Sequence, residues 1–165
     1  MWKEVTELRI LVLCTHNSAR SQMAEGWLRH HAMQAGLDAE VHSAGTEATS
    51  VKPDAVTVMG EVGINLSTHT SKTLHDLPDK WNFGLVLTVC DDANEVCPVY
   101  PARTTRLHVS FADPSGQGVE RWREIRDDIG RTTHQLVASL LERSIPAEDE
   151  FHAASGEGFG SVQEA

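Results

Sequence analysis

The stretch Leu8-Arg9-Ile10-Leu11-Val12-Leu13-Cys14-Thr15-His16-Asn17-Ser18-Ala19-Arg20-Ser21 decides the fold. Leu8 to Leu13 is an apolar run, broken only at Arg9, without strict alternation. That is the pattern of a strand covered on both faces. At Cys14 the character changes to small and polar residues. From about Ser18 to Gly36 a helical period takes over. Met23, Ala24, Trp27, Leu28, His31 and Ala35 fall near one face, and Gly36 is placed to cap the C-terminus.

Working outward, Glu40 to Ser43 reads as a second strand. Pro53 suits a helix start, with the helix reaching about Glu61 before Gly63. Leu85 to Val89 and Leu107 to Val109 read as the third and fourth strands. Gly118 to about Arg143 carries a long helical pattern through Val119, Trp122, Ile125, Ile129, Leu136, Val137 and Leu140. The order predicts an α/β fold in a single domain over residues 8–143, a four-stranded parallel sheet with helices on both faces. Ligands of such folds bind beyond the carboxyl ends of the strands, where Cys14 and Cys90 both stand. Residues 1–7 read as a frayed lead-in, and 144–165 as a disordered acidic tail.

The 165 residues are 40% hydrophobic and 23% charged, ordinary values for a soluble domain with one sizeable core. The net charge of −10 argues against nucleic acid or an anionic membrane as a partner. Five of the acids lie in 147–165, which holds no Lys or Arg. An anion site in such a chain has to be made locally, from backbone amides and a few placed cations. No early stretch reads as a signal peptide and none approaches a membrane span, so the expectation is a cytoplasmic monomer with reduced thiols. No cofactor or metal is expected: the three cysteines contain no CxxC, and His75 and His108 lack ligand spacing.

The loop after the first strand carries the chemistry. A short turn running into a helix aims several free N–H groups at one point, and the helix dipole adds positive potential there. Thr15, His16, Asn17, Ser18 and Ala19 are the candidates for wrapping an anion. Asn17 tolerates the left-handed backbone that such wrapping needs. The Arg20 guanidinium can grip two oxygens at once. The same surroundings favour a thiolate at Cys14, and Ser21 can donate to its sulfur. His16 either adds a contact or faces solvent. The residues themselves thus imply an oxyanion-binding nucleophile.

Cys-x5-Arg-Ser after the first strand resembles the low-molecular-weight tyrosine phosphatase fold. The fuller string Cys14 to Gly26, CTHNSARSQMAEG, is similar to the arsenate reductases built on that fold, as is Ser43-Ala44-Gly45-Thr46. The resemblance runs from about Ile10 to Leu141. It implies the same fold and arsenate as the substrate, with tyrosine phosphatase activity as the alternative.

Cys90 and Cys97 stand in VCDDANEVCP, residues 89–98. Taken alone, Cys90 reads equally well as a core residue and Cys97 as an incidental thiol. In a helix, cysteines seven apart would be separated by about 10.5 Å along the axis, whereas a disulfide needs Cα atoms within about 7 Å. The segment must therefore unwind, or already be a loop, for the two to pair. In thioredoxin-coupled arsenate reductases a cysteine pair of this spacing carries electrons out of the site. The resemblance then implies that Cys90 attacks the adduct on Cys14 and Cys97 resolves the Cys14–Cys90 disulfide. The Cys90–Cys97 bridge is finally reduced by thioredoxin, with mycothiol or glutaredoxin as other donors.

Asp113-Pro114 follows the last strand. Proline restrains Asp113 to an extended conformation, fixing where its carboxyl points. An Asp-Pro pair is also a common turn opener. The resembled family places its general acid here, which assigns that role to Asp113. Tyrosine phosphatases of this fold usually follow the pair with tyrosines. This chain has Ser115-Gly116-Gln117-Gly118, which implies a small inorganic substrate. Some thioredoxin-linked members bind potassium through residues matching Asn17, Glu25, Ser43 and Thr70, with an acid where this chain has Lys72. The resemblance therefore implies that the Lys72 ammonium replaces the ion.

Overall fold

The computed structural model describes residues 8–91 and 98–142, and the backbone of 159–164. β1 (Leu8–Leu13) leads to α1 (Arg20–Ala35), β2 (Ala39–Ala44) and α2 (Pro53–Glu61). A 3₁₀ turn (Leu74–Asp76), β3 (Leu85–Thr88), β4 (Thr105–Val109), α3 (Val119–Leu141) and β5 (Phe159–Glu164) follow. The sheet order is β2-β1-β3-β4-β5. The first four strands are parallel, with Leu13 opposite both Ala44 and Thr88, and β5 joins β4 antiparallel.

The unbroken apolar run of β1 has a direct cause. Ile10 and Val12 enter one buried cluster with Met23, Leu28, Met59, Trp122 and Ile129, residues of α1, α2 and α3. Leu11 and Leu13 point the other way, into a smaller cluster with Leu77, Phe83 and Tyr100. Both faces are therefore dry, so no polar alternation is possible.

Among the described residues the three α-helices share one cluster, and the 3₁₀ turn lies on the other face. The second face is covered by Leu77, Phe83 and Tyr100, which flank the 3₁₀ turn or lie in loops. Pro78, Pro98 and Pro101 punctuate these segments and keep them from helix. The helix after β1 starts at Arg20, not Ser18, because Asn17 (φ 52°) and Ala19 (φ −136°, ψ −81°) hold non-helical backbone. The tail expected to be disordered contributes β5. The outer edge of β4 offers unpaired backbone groups that an added strand satisfies. Residues 1–7, 92–97, 143–158 and 165 lie outside the described set, and with them Cys97 and the expected unwinding of 90–97.

α1 and α3 meet closely at Gly130, where an added Cβ would stand 2.8 Å from the Trp27 ring. Trp27 Nε1 donates to Arg126 O at 3.0 Å, and His31 Nε2 lies 3.0 Å from Gly130 O. The His31 ring stacks on Trp27 with centroids 4.9 Å apart. His31 is held neutral, because burial pushes its pKa down to about 4, with His134 and His30 adding repulsion and the Gly130 bond opposing. The unfolded chain binds this proton from about pH 6.5 downward and the folded one does not, so stability falls with pH between those values. His31→Gln, followed by urea unfolding from pH 7 to 4, is expected to remove about 1 to 2 kcal/mol of that loss, allowing for the half-exposed ring.

No helix among the described residues is long and apolar enough to cross a membrane.

Candidate active site

Cys14 closes β1, buried, with its N–H donating to Ala44 O at 3.2 Å. From there the chain turns its carbonyls outward onto the scaffold. Thr15 O accepts from Thr46 N (2.8 Å), Glu47 N (3.2 Å) and Thr46 Oγ1 (3.0 Å). His16 O accepts from Ser71 Oγ (2.9 Å), Asn17 O from Gln22 Nε2 (3.1 Å) and Ser18 O from Lys52 N (2.8 Å). Four successive carbonyls committed outward turn the loop amides toward its concave side, the arrangement of an anion nest ahead of a helix N-terminus.

Asn17 locks this shape. It adopts the left-handed conformation expected of it and is wholly buried. Its Nδ2 donates to Ser21 Oγ (2.9 Å) and Ser43 Oγ (2.8 Å), while its Oδ1 accepts from Gln22 Nε2 and Lys72 N, both at 3.0 Å. Every polar atom of its amide side chain is bonded, so the loop resists rearrangement. Gly45 supports it from β2. A Cβ there would lie 2.5 Å from Thr15 O, 2.9 Å from Asn17 N and 3.0 Å from Cys14 O.

Arg20 is buried and reaches across the strand ends. Its Nη1 donates to Phe111 O at 3.0 Å, and its Nη2 lies 3.8 Å from Asp113 Oδ2. Asp113 Oδ1 accepts from Ser115 N at 3.0 Å, and Gln117 Nε2 donates to Asp113 O at 3.0 Å. Partial burial tends to raise the Asp113 pKa. The Ser115 hydrogen bonds, with Arg20 and Lys52 nearby, outweigh it and hold the carboxyl below its usual value. Asp113 is therefore ionised at rest.

Cys90 is wholly buried in the same cluster as Cys14, just past the end of β3, the strand beside β1. Cys14 is outside any disulfide, and Cys90 is disulfide-bonded. The structure thus brings together Cys14, Arg20, Cys90 and Asp113 at one rim of the sheet. Ala19 and Ser21 are buried beside them, and Thr15 and Ser18 are partly buried. His16 turns its side chain outward, where Nε2 lies 3.6 Å from Glu47 Oε1, so it serves the loop only through its backbone.

The Lys72 ammonium donates to Thr70 O at 3.1 Å and stands 3.9 Å from Glu25 Oε1. Burial lowers its pKa, with Glu25 opposing. Glu25 is buried, takes the Ser43 hydroxyl at 2.5 Å and pairs with Arg29 at 2.7 Å. The ammonium thus lies against Thr70 O and Glu25, and Glu25 is linked through the Ser43 hydroxyl to Asn17. Sequence reasoning did not assign the loop's external supports, Gln22, Thr46, Lys52 and Ser71. Gln22 and Thr46 lie in the two motifs quoted above; Lys52 and Ser71 had no local signal.

Residues 9–145 match the family described as low molecular weight phosphotyrosine protein phosphatase. The chain is 41% identical to arsenate reductase 2 of Staphylococcus saprophyticus, over 77% of this chain and 94% of that one. It is 45% identical to an arsenate reductase of Shouchella clausii, over 73% of this chain and 88% of that one. Among solved structures it is similar to the arsenate reductase of Archaeoglobus fulgidus, with TM-score 0.68 and 25% identity, covering 78% of this chain and 98% of that one.

Proposed function

This chain belongs to the low molecular weight phosphotyrosine protein phosphatase family, and we propose that within it the chain reduces arsenate to arsenite, as an arsenic-detoxifying enzyme. The observation that carries this reading is a second cysteine, Cys90, buried in one cluster with Cys14 at the ends of adjacent strands. A hydrolytic phosphatase has no use for it. The identity of more than 40% to two arsenate reductases supports the same substrate.

The Cys14 thiolate attacks arsenate held by the loop amides and Arg20. An As–S bond forms as an As–O bond breaks, and Asp113 gives the departing oxygen a proton so that it leaves as water. Because Asp113 is ionised at rest, that proton arrives with the substrate or from the Cys14 thiol. Cys90 then attacks Cys14 Sγ. The As–S pair of electrons goes to arsenic, which leaves as arsenite, and a Cys14–Cys90 disulfide remains. Cys97 attacks Cys90, freeing the Cys14 thiolate, and an external dithiol, thioredoxin, reduces the Cys90–Cys97 bridge. Two thiols are oxidised for each As(V) reduced to As(III). This chemistry requires a compartment that keeps thiols reduced, as the cytoplasm does, and every residue it uses lies within 8–143 of one chain.

The test is arsenate-dependent NADPH oxidation with thioredoxin and its reductase. Wild type should turn over steadily, and Cys97→Ser should release about one equivalent of arsenite and then stall. Sustained turnover of that variant contradicts the relay. The phosphatase reading, favoured by the family match, predicts no arsenate turnover and full phosphatase activity after Cys90 and Cys97 are both replaced.

Lys72 gives a second expectation. With an ammonium already against Glu25 and Thr70 O, potassium and sodium at equal ionic strength should support rates within about twofold of each other. Activation specific to potassium would contradict the replacement.

A further inference from the structure

Gln22, the third residue of α1, is wholly buried. Its Nε2 stands among three oxygens: Asn17 O at 3.1 Å, Asn17 Oδ1 at 3.0 Å and Thr70 O at 3.0 Å. One amide nitrogen thus ties the helix to the anion loop and to the chain around Thr70. An amide oxygen in that place would meet three acceptors with no hydrogen between, so the group has one sense. Nitrogen faces the loop, and Oε1 faces away from it. That leaves Oε1 to be satisfied from elsewhere. Among the described residues its donor is His69, whose Nδ1 lies 3.0 Å away.

His69 is held where this bond needs it. Its backbone N–H donates to the carbonyl of buried Leu66 at 3.0 Å. The ring is half-buried. Burial pushes its pKa below the usual value; Glu25 opposes, and Arg29 and Lys72 add to the lowering. A neutral imidazole has a single N–H, and Gln22 Oε1 can only accept, so the proton is on Nδ1. Two residues further on, Ser71 Oγ donates to His16 O at 2.9 Å, and Lys72 N donates to Asn17 Oδ1 at 3.0 Å. Those two bond the loop directly, whereas His69 reaches it through Gln22.

We propose, on the reading of residues 14–20 as the loop that binds the oxyanion, that His69 is a positioning residue of that loop: its Nδ1–H fixes the Gln22 amide that clamps Asn17. Without this donor a buried carbonyl oxygen loses its bond, and the Gln22 side chain turns to recover one. Its hold on Asn17 O and Oδ1 goes with it. Asn17 Nδ2 still donates to Ser21 and Ser43, so the loop keeps its fold and loses the alignment of its amides.

Three substitutions separate this role from packing. His69→Leu keeps most of the bulk and removes the donor. His69→Asn places an amide N–H where Nδ1 stands. Gln22→Met removes the acceptor. The measurements are the dissociation constant for inorganic phosphate, followed by loop amide shifts, and kcat/KM for arsenate with dithiothreitol as reductant. His69→Leu should worsen each by about tenfold, and His69→Asn should stay within about threefold of wild type. In the Gln22→Met background, His69→Leu should cost less than about twofold more, because the bond it breaks is already absent. Nitrogen-15 NMR of the wild-type ring at neutral pH should find the proton on Nδ1. His69→Leu equal to wild type, His69→Asn as impaired as His69→Leu, or a proton on Nε2 each overturns the proposal. Wild type that binds no phosphate overturns the anion-loop reading and this proposal together. Phosphate binding without arsenate turnover overturns the proposed reaction alone, and the phosphate measurements then decide the role of His69.

Discussion

Cys14→Ser should leave the protein folded and lower arsenate reduction at least about 10⁴-fold, the scale on which a removed nucleophile acts. The side chain lies in the buried cluster at the end of β1, where a slightly smaller hydroxyl fits without strain. Two losses then compound. A serine hydroxyl is far less ionised than a thiol in the same amide nest, so attack on the anion slows. Even an ester formed on oxygen would be a dead end, because Cys90 needs a sulfur to attack if it is to take electrons from arsenic. Phosphatase activity should fall as well, since its first step is the same. The measurements are arsenite release and the thermal midpoint, which should stay within a few degrees of wild type. Turnover above about 1% of wild type would remove Cys14 from the reaction.

Gly45→Ala should have the next largest effect, a fall in kcat/KM for arsenate of about 10² to 10³ from one added methyl group. The atoms it meets are Thr15 O, Asn17 N and Cys14 O, at 2.5 to 3.0 Å. All three are backbone, so none can swing away. Gly45 is itself pinned, its N–H donating to Lys72 O at 2.9 Å. The loop must therefore move by several tenths of an ångström, taking the amides and the Cys14 sulfur off line. Misplacement on that scale costs about 10²-fold in rate or more, and overpacking of this kind adds about 1 to 3 kcal/mol of destabilisation. Kinetics and denaturant unfolding on the same preparation separate the two effects. A variant within threefold of wild-type kcat/KM would mean that the loop is not held rigidly.

The order of strands and helices was legible because β1 and β3 are buried runs and α3 has a clear period. The nucleophile loop was legible because its residue types are chemically narrow: a thiol, small polar linkers, an asparagine able to turn left-handed and an arginine. What holds the loop was not. Ser71 and Lys52 act on it from far along the chain, and nothing in their own neighbourhoods marks them. The need for glycine at 45 arises from packing against the backbone of the nucleophile loop and not from its own backbone angles. The cover of the second sheet face is loop and 3₁₀ turn, which leave no periodic trace. The period of α1 put His31 on its apolar face, but the carbonyl it meets belongs to α3, so that contact left no local trace. β5 was missed because the tail's composition reads as disordered, whereas pairing depends on the free edge of β4.

The carbonyls that the loop turns outward have a consequence for the order in which the chain becomes competent. Thr15 is secured by a residue 31 positions away, His16 by one 55 away, and Arg20 by one 91 away. Closing such long spans precedes the bonds that reward them, so contacts of this kind form late in folding. The helices α1 and α3 can gather early, but a chain that has only its helices has no anion nest. The capacity for chemistry is the last property this protein acquires, and it arrives all at once with the sheet.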